Sequence, residues 1–390
     1  MKRSFSILLI GTQMATGGAQ TGLLDQARCF RARGCNVQAA FVYDKDDLHE
    51  TWQQRAAFPI HNLRIHHPHA NFLQRSVQFM KGIFRLWKFM RREKFDVVET
   101  FTHDSNLIGL PIAWLAGVPV RIATHRGLDE RFPRWRLKLH TLMINLGIAD
   151  TFVAVSDAIG QQARSEGVHP RKVIVIRNGV TPLDIESVDV HEVRRSLDLK
   201  EGNLFLLAVG RLTYQKGFDI LIDAVPALIR EHPHLTVNIC GGGPLMSDLQ
   251  SQISKLGLTE YVKLLGNWSN VAPLLAIADI FILSSRFEGL SRAMLEAMAA
   301  GVPVVATRVQ GVEEVVSDGV HGLLVPPANA AELTKAMIQL VDHPELRRNM
   351  GTAARDHILA SYTTDAMFAK YYDLTVNLLK SKKHYNTSDS

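Results

Sequence analysis

Cysteine is scarce in this chain of 390 residues: Cys29, Cys35 and Cys240 are the full complement, odd in number and without a CxxC pair. That pattern excludes a disulfide framework and a zinc-ligand spacing, and it suits a reducing cytosol. Long hydrophobic runs are missing as well. The longest apolar stretch, residues 107–120, is shorter than the ~20 residues that a membrane-spanning helix needs, and Pro111, Gly117 and Pro119 interrupt it. Repeats and low-complexity segments are absent. So are the dinucleotide fingerprint and the P-loop: in GTQMATGGAQTGLLDQA, residues 11–27, Ala19 follows Gly18 where a P-loop carries lysine.

What is present describes a soluble globular protein long enough for two domains, each with its own core. The net charge of +6 is unevenly spread. Residues 1–180 hold 25 Lys and Arg against 14 Asp and Glu, whereas the remainder holds 19 against 24, so the basic character belongs to one half. The opening MKRSFSILLIGTQMATGGA imitates a secretory leader, but its apolar core is short and runs straight into helix-like sequence. It is read as a first strand.

Strand-like runs recur at SFSILLIG, NVQAAFVY, FDVVETFT, VPVRIATH, TFVAVS and KVIVIRNG, with helical patterns between most of them. The second half repeats the rhythm at NLFLLAVG, LTVNICGGG, YVKLLG, DIFILSS, VPVVAT and GLLVP. Alternation of this kind builds parallel sheets from βαβ units, so an α/β chain with two doubly wound, Rossmann-like domains is expected. The polar TPLDIESVDVHEVRRSLDLKEG, residues 181–202, holds the join. The expected division is 1–182, then 183–355, then a helix over 356–380 crossing back to the first domain, with 381–390 a frayed tail.

Chemistry gathers at turns between strand and helix. In AVGRLTYQKGFDILIDAV, residues 208–225, Arg211 and Lys216 lie beside a helix N-terminus, where cations oppose the dipole unless an anion binds between them. Two cations with free backbone N–H groups suit a diphosphate. Two solvated loop cations are the plainer alternative. Gly17 and Gly18, between strand one and the first helix, permit close approach of a ligand to the backbone, or simply a tight turn. His103 and His125 end strand-like runs, which in a doubly wound domain face the binding crevice; a structural role for either is equally open. Asp44 and Asp46 form a DxD resembling a metal-binding pair, and a solvated turn explains it.

SSRFEGLSRAMLEAMAAGVPVVAT, residues 284–307, places Glu288 on a glycine turn and Glu296 inside a helix. Paired carboxylates suggest a glycoside hydrolase, but eight largely helical residues separate the Cα atoms by about 10–12 Å, against roughly 5 Å between the carboxyls of retaining hydrolases. Carboxylates also accept hydrogen bonds from sugar and ribose hydroxyls, which needs no such proximity.

Taken together, GGAQ, the strand-end histidines, VAVSDAI, RNGV, GRLTYQKG, GGGP and above all EGLSRAMLEAMAAGVPVVAT with its E-x7-E spacing resemble the retaining glycosyltransferases of the GT-B architecture, family 4, over nearly the whole chain. The resemblance implies two Rossmann-like domains facing a central cleft, and hexosyl transfer from a UDP- or GDP-sugar without a metal or other cofactor. It implies that Arg211 and Lys216 bind the donor diphosphate and that Glu296 holds the ribose hydroxyls. Glu288 and the N–H groups of Gly289, Leu290 and Ser291 would meet the sugar and phosphates, with His125 near the reacting centre and Gly17 and Gly18 closing over the phosphates and the acceptor. Arg292 is a departure, standing where many relatives carry Asn. A nucleotide-sugar epimerase on the same plan and a non-catalytic nucleotide-sugar-binding regulator are the alternatives.

Residues 75–95 carry Lys81, Arg85, Lys88 and Arg92 at helical spacing, with Val77, Met80, Phe84 and Trp87 on another face; a second basic, aromatic run lies in HRGLDERFPRWRLKLH. A solvated face covering the sheet of the first domain is the plainer reading of such a helix; with the basic half, and because the N-terminal domain of the fold class it resembles usually receives the acceptor, the expectation is a peripheral enzyme on the cytoplasmic face of the inner membrane, using a glycan or lipid-linked acceptor in surface-polysaccharide synthesis. No nucleic-acid reader motif accompanies the charge.

Overall fold

The computed structural model describes residues 5–15, 18–65, 72–125 and 133–388. It divides into two compact units, residues 1–177 with 367–390, and residues 178–366.

The first unit is built on seven parallel strands: β1 (Ser6–Met14), β2 (Asn36–Asp44), β3 (Ile60–Asn62), β4 (Val97–Thr100), β5 (Val120–His125), β6 (Thr151–Ala154) and β7 (Val173–Val175), in the order β3-β2-β1-β4-β5-β6-β7. Between them run α1 (Gly18–Ala32), α2 (His49–Arg55), α3 (Phe72–Glu93), α4 (His103–Leu115), α5 (Arg134–Asn145) and α6 (Asp157–Ser165). Helices cover both faces, which is why β1 reads as a continuous apolar run and not an alternating one. Ile7 and Leu9 pack with Leu23, Ala27 and Phe30 of α1, while Leu8 and Ile10 pack with Leu86 and Met90 of α3 and Ile112 of α4. The short edge strand β3 carries no strand signal in the sequence.

Three faces of α3 have three different fates. Leu86 and Met90 are buried with Gly82, where a Cβ would press on the backbone of Ile65. Val77, Met80 and Phe84 are exposed, and Lys81, Arg85, Lys88 and Arg92 line a basic row. Trp87, grouped by spacing with Val77, Met80 and Phe84, parts from them and is half-buried against the core beneath α3. No helix among the described residues is long and apolar enough to cross a membrane.

In the second unit six parallel strands, β8 (Leu204–Val209), β9 (Leu235–Cys240), β10 (Val262–Gly266), β11 (Ile280–Leu283), β12 (Val304–Thr307) and β13 (Gly322–Val325), take the order β10-β9-β8-β11-β12-β13. Its helices are α7 (Val190–Ser196), α8 (Phe218–Glu231), α9 (Met246–Lys255), α10 (Ala272–Ala276), α11 (Arg292–Ala299), α12 (Gln310–Glu313), α13 (Ala330–Asp342) and α14 (Pro344–Ser361). One sheet face packs Phe205 and Leu207 on Met294, Leu295 and Met298 of α11; the other packs Leu206 and Ala208 on Leu221, Ile222 and Val225 of α8. A last helix, α15 (Thr364–Ser388), contributes Met367, Phe368 and Tyr371 to the core of the first unit.

In each sheet the strand order reverses once, between β1 and β4 and between β8 and β11. Loops leaving such neighbouring strands at their carboxyl ends part in opposite directions and open a crevice, the usual ligand position in this architecture. In the second unit these loops are residues 210–217 and 284–291.

Candidate active site

The loop leaving β8 ends in a 3-10 turn, Tyr214–Lys216, and Gly217 then switches the chain into α8 with φ 61°. A side chain at Gly217 would be strained by that angle and would collide with the Ser284 carbonyl oxygen. This close approach brings the β8 and β11 loops into register. Ser284 Oγ donates to the Lys216 carbonyl at 3.0 Å, Arg286 N to the Gln215 carbonyl at 2.8 Å, and Gln215 Nε2 to the Phe287 carbonyl at 3.1 Å.

Arg286 fastens the outer side of the pair. Its guanidinium donates to both Asp219 oxygens at 2.8 and 2.6 Å and to the Tyr214 carbonyl at 2.9 Å, and it lies 4.1 Å from the centre of the Tyr214 ring. Burial alone would push the Asp219 carboxyl up, but the hydrogen bonds and charge of Arg286, with backbone N–H groups of α8, outweigh it and lower the pKa. This lock holds two loops at fixed separation.

Inside the lock, Lys216 Nζ donates to Glu288 Oε1, and Ser285 Oγ donates to the same oxygen at 2.8 Å. Glu288 is only 5 % exposed. The two residues read from sequence as separate ligand contacts are thus each other's partner. Thr307 Oγ1 donates to the Ser285 carbonyl at 2.5 Å, so β12 steadies the turn that carries Glu288. Arg211, on the same loop as Lys216, is exposed.

Ser291 caps α11 by accepting from Met294 N at 3.4 Å. Leu290 is 6 % exposed and part of the core, so Gly289, Leu290 and Ser291 are anchored from below and Leu290 has its backbone to offer a ligand. One turn into the helix, Glu296 accepts from Arg292 Nε at 3.0 Å. The glycines of GGGP have a packing reason: at Gly241, φ 144°, a Cβ would strike the Gly210 carbonyl at the end of β8.

In the first unit His125 ends β5 and is partly exposed, as its position in the strand suggested. His103 is different. It is the first residue of α4, whose N-cap Thr102 forms a capping box with Ser105, and it is 3 % exposed. Its ring centre lies 4.7 Å from that of His140 on α5 and 6.3 Å from that of His125. The Asn106 amide donates to His140 Nε2 at 2.9 Å and accepts from Thr100 Oγ1 at 2.5 Å. Burial, then the neighbouring His103 and His125, push the His140 pKa well below its ordinary value. Gly18 is the first residue of α1 and Gly17 lies outside the described residues. Asp44 does not present a metal ligand pair with Asp46: its two oxygens accept from Leu48 N and His49 N at 3.0 and 2.9 Å, closing the start of α2.

Sequence reasoning missed Gly217, Ser285, Arg286 and Asp219. A signal for the second existed, since Ser284 and Ser285 sit between an apolar strand and a glycine turn, where hydroxyls have backbone and carboxylate partners within reach.

Two family descriptions match and together span most of the chain: "Glycosyltransferase Family 4" over residues 16–182 and "Glycosyl transferases group 1" over residues 189–357. The chain belongs to the group 1, family 4 glycosyltransferases. It is 27 % identical to the UDP-Gal:alpha-D-GlcNAc-diphosphoundecaprenol alpha-1,3-galactosyltransferase of Escherichia coli over 78 % of this chain and 81 % of that one. With the N,N'-diacetylbacillosaminyl-diphospho-undecaprenol alpha-1,3-N-acetylgalactosaminyltransferase of Campylobacter jejuni it shares 25 % over 77 % and 82 %. The structure of Anabaena Alr3699/HepE with UDP and glucose superposes with a TM-score of 0.82 at 23 % identity, covering 95 % of this chain and 99 % of that one. The fold is GT-B.

Proposed function

We propose that this glycosyltransferase takes a hexosyl group from a UDP- or GDP-sugar and transfers it, with retention and without a metal, to a lipid-linked glycan at the cytoplasmic face of the inner membrane, in the synthesis of surface polysaccharide or lipopolysaccharide. The carrying observation is the buried Lys216–Glu288 pair, held where the β8 and β11 loops meet at the N-termini of α8 and α11.

Negative charge collects on the leaving diphosphate as the glycosidic bond breaks. Fixed cations and helix N–H groups stabilise that charge most, because they are already oriented when it appears. Lys216 is such a cation, oriented by Glu288, and Arg211 on the same loop supplies a second; together they take the charge-neutralising place that a metal fills elsewhere. Glu288 then accepts from hydroxyls of the sugar, Glu296 from those of the ribose, and the backbone of Gly289, Leu290 and Ser291 donates to the phosphates. Retention follows from a front-side displacement in which the acceptor hydroxyl attacks on the face that the diphosphate leaves and its proton passes to the leaving oxygen. To His125, at the end of β5, the reading gives a role in turnover and a smaller one in binding the bare nucleotide. The names of the Escherichia coli and Campylobacter jejuni relatives, a UDP-Gal donor in one and diphospho-undecaprenol-linked acceptors in both, support the donor and acceptor classes.

The membrane reading draws support from the outer surface of the first unit. α4 lies between α3 and α5, and the exposed apolar side chains Met80 and Phe84 of α3, Trp114 of α4, and Trp135, Leu139 and Leu142 of α5 belong to this one helical layer. Exposed Lys81, Lys88, Arg134 and Lys138 stand among them. Exposed apolar side chains and cations carried on the same helices suit an anionic leaflet, to which each cation adds about 1 kcal/mol.

A donor panel tests the reading. A nucleotide sugar at 100 times its dissociation constant stabilises the fold by about 2.7 kcal/mol, and with a diphospho-undecaprenol-linked acceptor it is converted to nucleoside diphosphate. Arg211→Ala and Lys216→Ala each lower turnover on the order of 10²–10³. Release of an epimerised sugar nucleotide with the acceptor unconsumed, or donor binding without turnover, replaces this reading.

A further inference from the structure

Arg292 is an expensive choice at its position. As the first residue of α11 it sets a positive charge against the positive end of the helix dipole. Its pair with Glu296 at i,i+4 runs with the cation N-terminal to the carboxylate, the weaker of the two orders. Helix stability therefore gives no reason for arginine here, and an uncharged residue behind the Ser291 cap serves α11 better. Yet the side chain is well placed: Nε donates to Glu296 Oε1 at 3.0 Å, with the two side chains 26 % and 15 % exposed. Long helical side chains lean toward the N-terminus, so Glu296 reaches back over the first turn of α11, the end that faces the crevice.

We propose that Arg292 is a positioning residue for the nucleotide: it holds the Glu296 carboxylate in one rotamer, where it accepts from the ribose diol, and so sets the preference of the enzyme for a ribonucleotide donor. The proposal rests on the reading of Glu296 as the ribose ligand. The guanidinium suits the task because it is always charged and its donors are fixed in a plane. A carboxylate left to itself at this depth has several rotamers to choose from, and ordering it would be charged to the binding of each donor molecule. Arg292 completes that ordering before the donor arrives.

The experiment uses the full chain and calorimetric titration with UDP, GDP and ADP, followed by the 2'-deoxy counterpart of whichever binds. Wild type should prefer the ribonucleotide by about tenfold or more, the worth of one well-made hydrogen bond to a charged acceptor. Glu296→Gln calibrates the loss of that preference. Arg292→Gln should bring the preference to within about threefold of the Glu296→Gln value, with the midpoint of thermal unfolding changed by no more than about 2 °C. Arg292→Lys, which still reaches a carboxylate at i+4, should restore most of it, and it carries the test if the glutamine variant does not fold. An Arg292→Gln enzyme with the full wild-type preference overturns the positioning role while leaving Glu296 in place. Equal weakening toward both nucleotides also overturns it, making Arg292 a phosphate cation only. No preference in wild type, its survival in Glu296→Gln, or no nucleotide bound at all overturns the Glu296 reading, and the proposal with it.

Discussion

Lys216 Nζ and Ser285 Oγ converge on one oxygen, Oε1 of Glu288, across 72 residues of sequence. With the Lys216 and Glu288 side chains 16 % and 6 % exposed, the pair is nearly dry, and removing either partner strands a charge away from water. Breaking a buried pair costs about 3–5 kcal/mol, whereas replacing both members is far milder. Lys216→Met should thus lose about 3 kcal/mol in chemical denaturation, and Lys216→Met with Glu288→Gln should recover more than half of that loss. Additive losses in the double variant would show that the two side chains are solvated independently.

Gly217 should tolerate no side chain. Its φ of 61° and the approach of the Ser284 carbonyl act together, so Gly217→Ala adds backbone strain on the order of 1–3 kcal/mol and pushes the β8 and β11 loops apart. Donor affinity is expected to fall along with stability. Wild-type affinity in a well-folded Gly217→Ala protein would mean that donor binding does not depend on the register of these loops.

His140 makes stability depend on pH. Burial and its two histidine neighbours depress its pKa in the folded state, while the unfolded imidazole takes up a proton near pH 6.5. The folded chain therefore binds fewer protons below that point. The contribution is complete above about pH 6.5 and is lost as pH falls toward the depressed folded value, by up to about 1.4 kcal/mol per pH unit. Burial lowers His61 and His357 as well, adding slope of the same sign. Denaturation at pH 7.5 and 5.5 should show a smaller acid loss in His140→Gln, which keeps an acceptor for Asn106. Identical slopes in the two proteins would place the acid sensitivity elsewhere.

Liposome flotation addresses the helical layer of the first unit. Recovery with anionic vesicles should fade with added salt and drop when Lys81, Lys88 and Arg92 become glutamine. Arg85 is left in place because its guanidinium donates to the Leu63 carbonyl at 3.1 Å and supports the loop before α3. Changing Trp135 and Leu142 to serine should reduce recovery at every salt concentration. Equal capture by neutral and anionic vesicles, or by neither, removes the membrane from the proposed function.

Much of the fold was legible because parallel strands covered on both faces read as unbroken apolar runs, as Ile7 to Ile10 and Ile280 to Leu283 do. β3 was not, since three residues at an edge bury one side chain. Of the candidate site, Lys216 and Glu288 were legible as residue types at turns. Their mutual contact was not, because it depends on β8 lying beside β11, a property of strand order that no local spacing carries. His103 was read as a strand end, with a ligand role and a structural role equally open, but Thr102 caps a helix at that point and His103 is its buried first residue. His140 escaped notice for a related reason. It lies on the inner face of α5 with Met143 and Ile144, and only the packing of that helix on β5 and β6 makes it a neighbour of two other histidines.

The segment from Met367 onward belongs to the first unit although it follows the whole of the second unit in sequence. Synthesis runs at about 5–20 residues per second, so the second unit possesses all its residues once Ala366 has emerged. The first, begun earlier, still lacks Met367, Phe368 and the fully buried Tyr371. A product that stops short of them carries an open core lined by Phe5, Phe30 and Phe41, the kind of surface that chaperones and proteases recognise. The order of translation thus makes the first unit, though begun earlier, the later of the two to close its core.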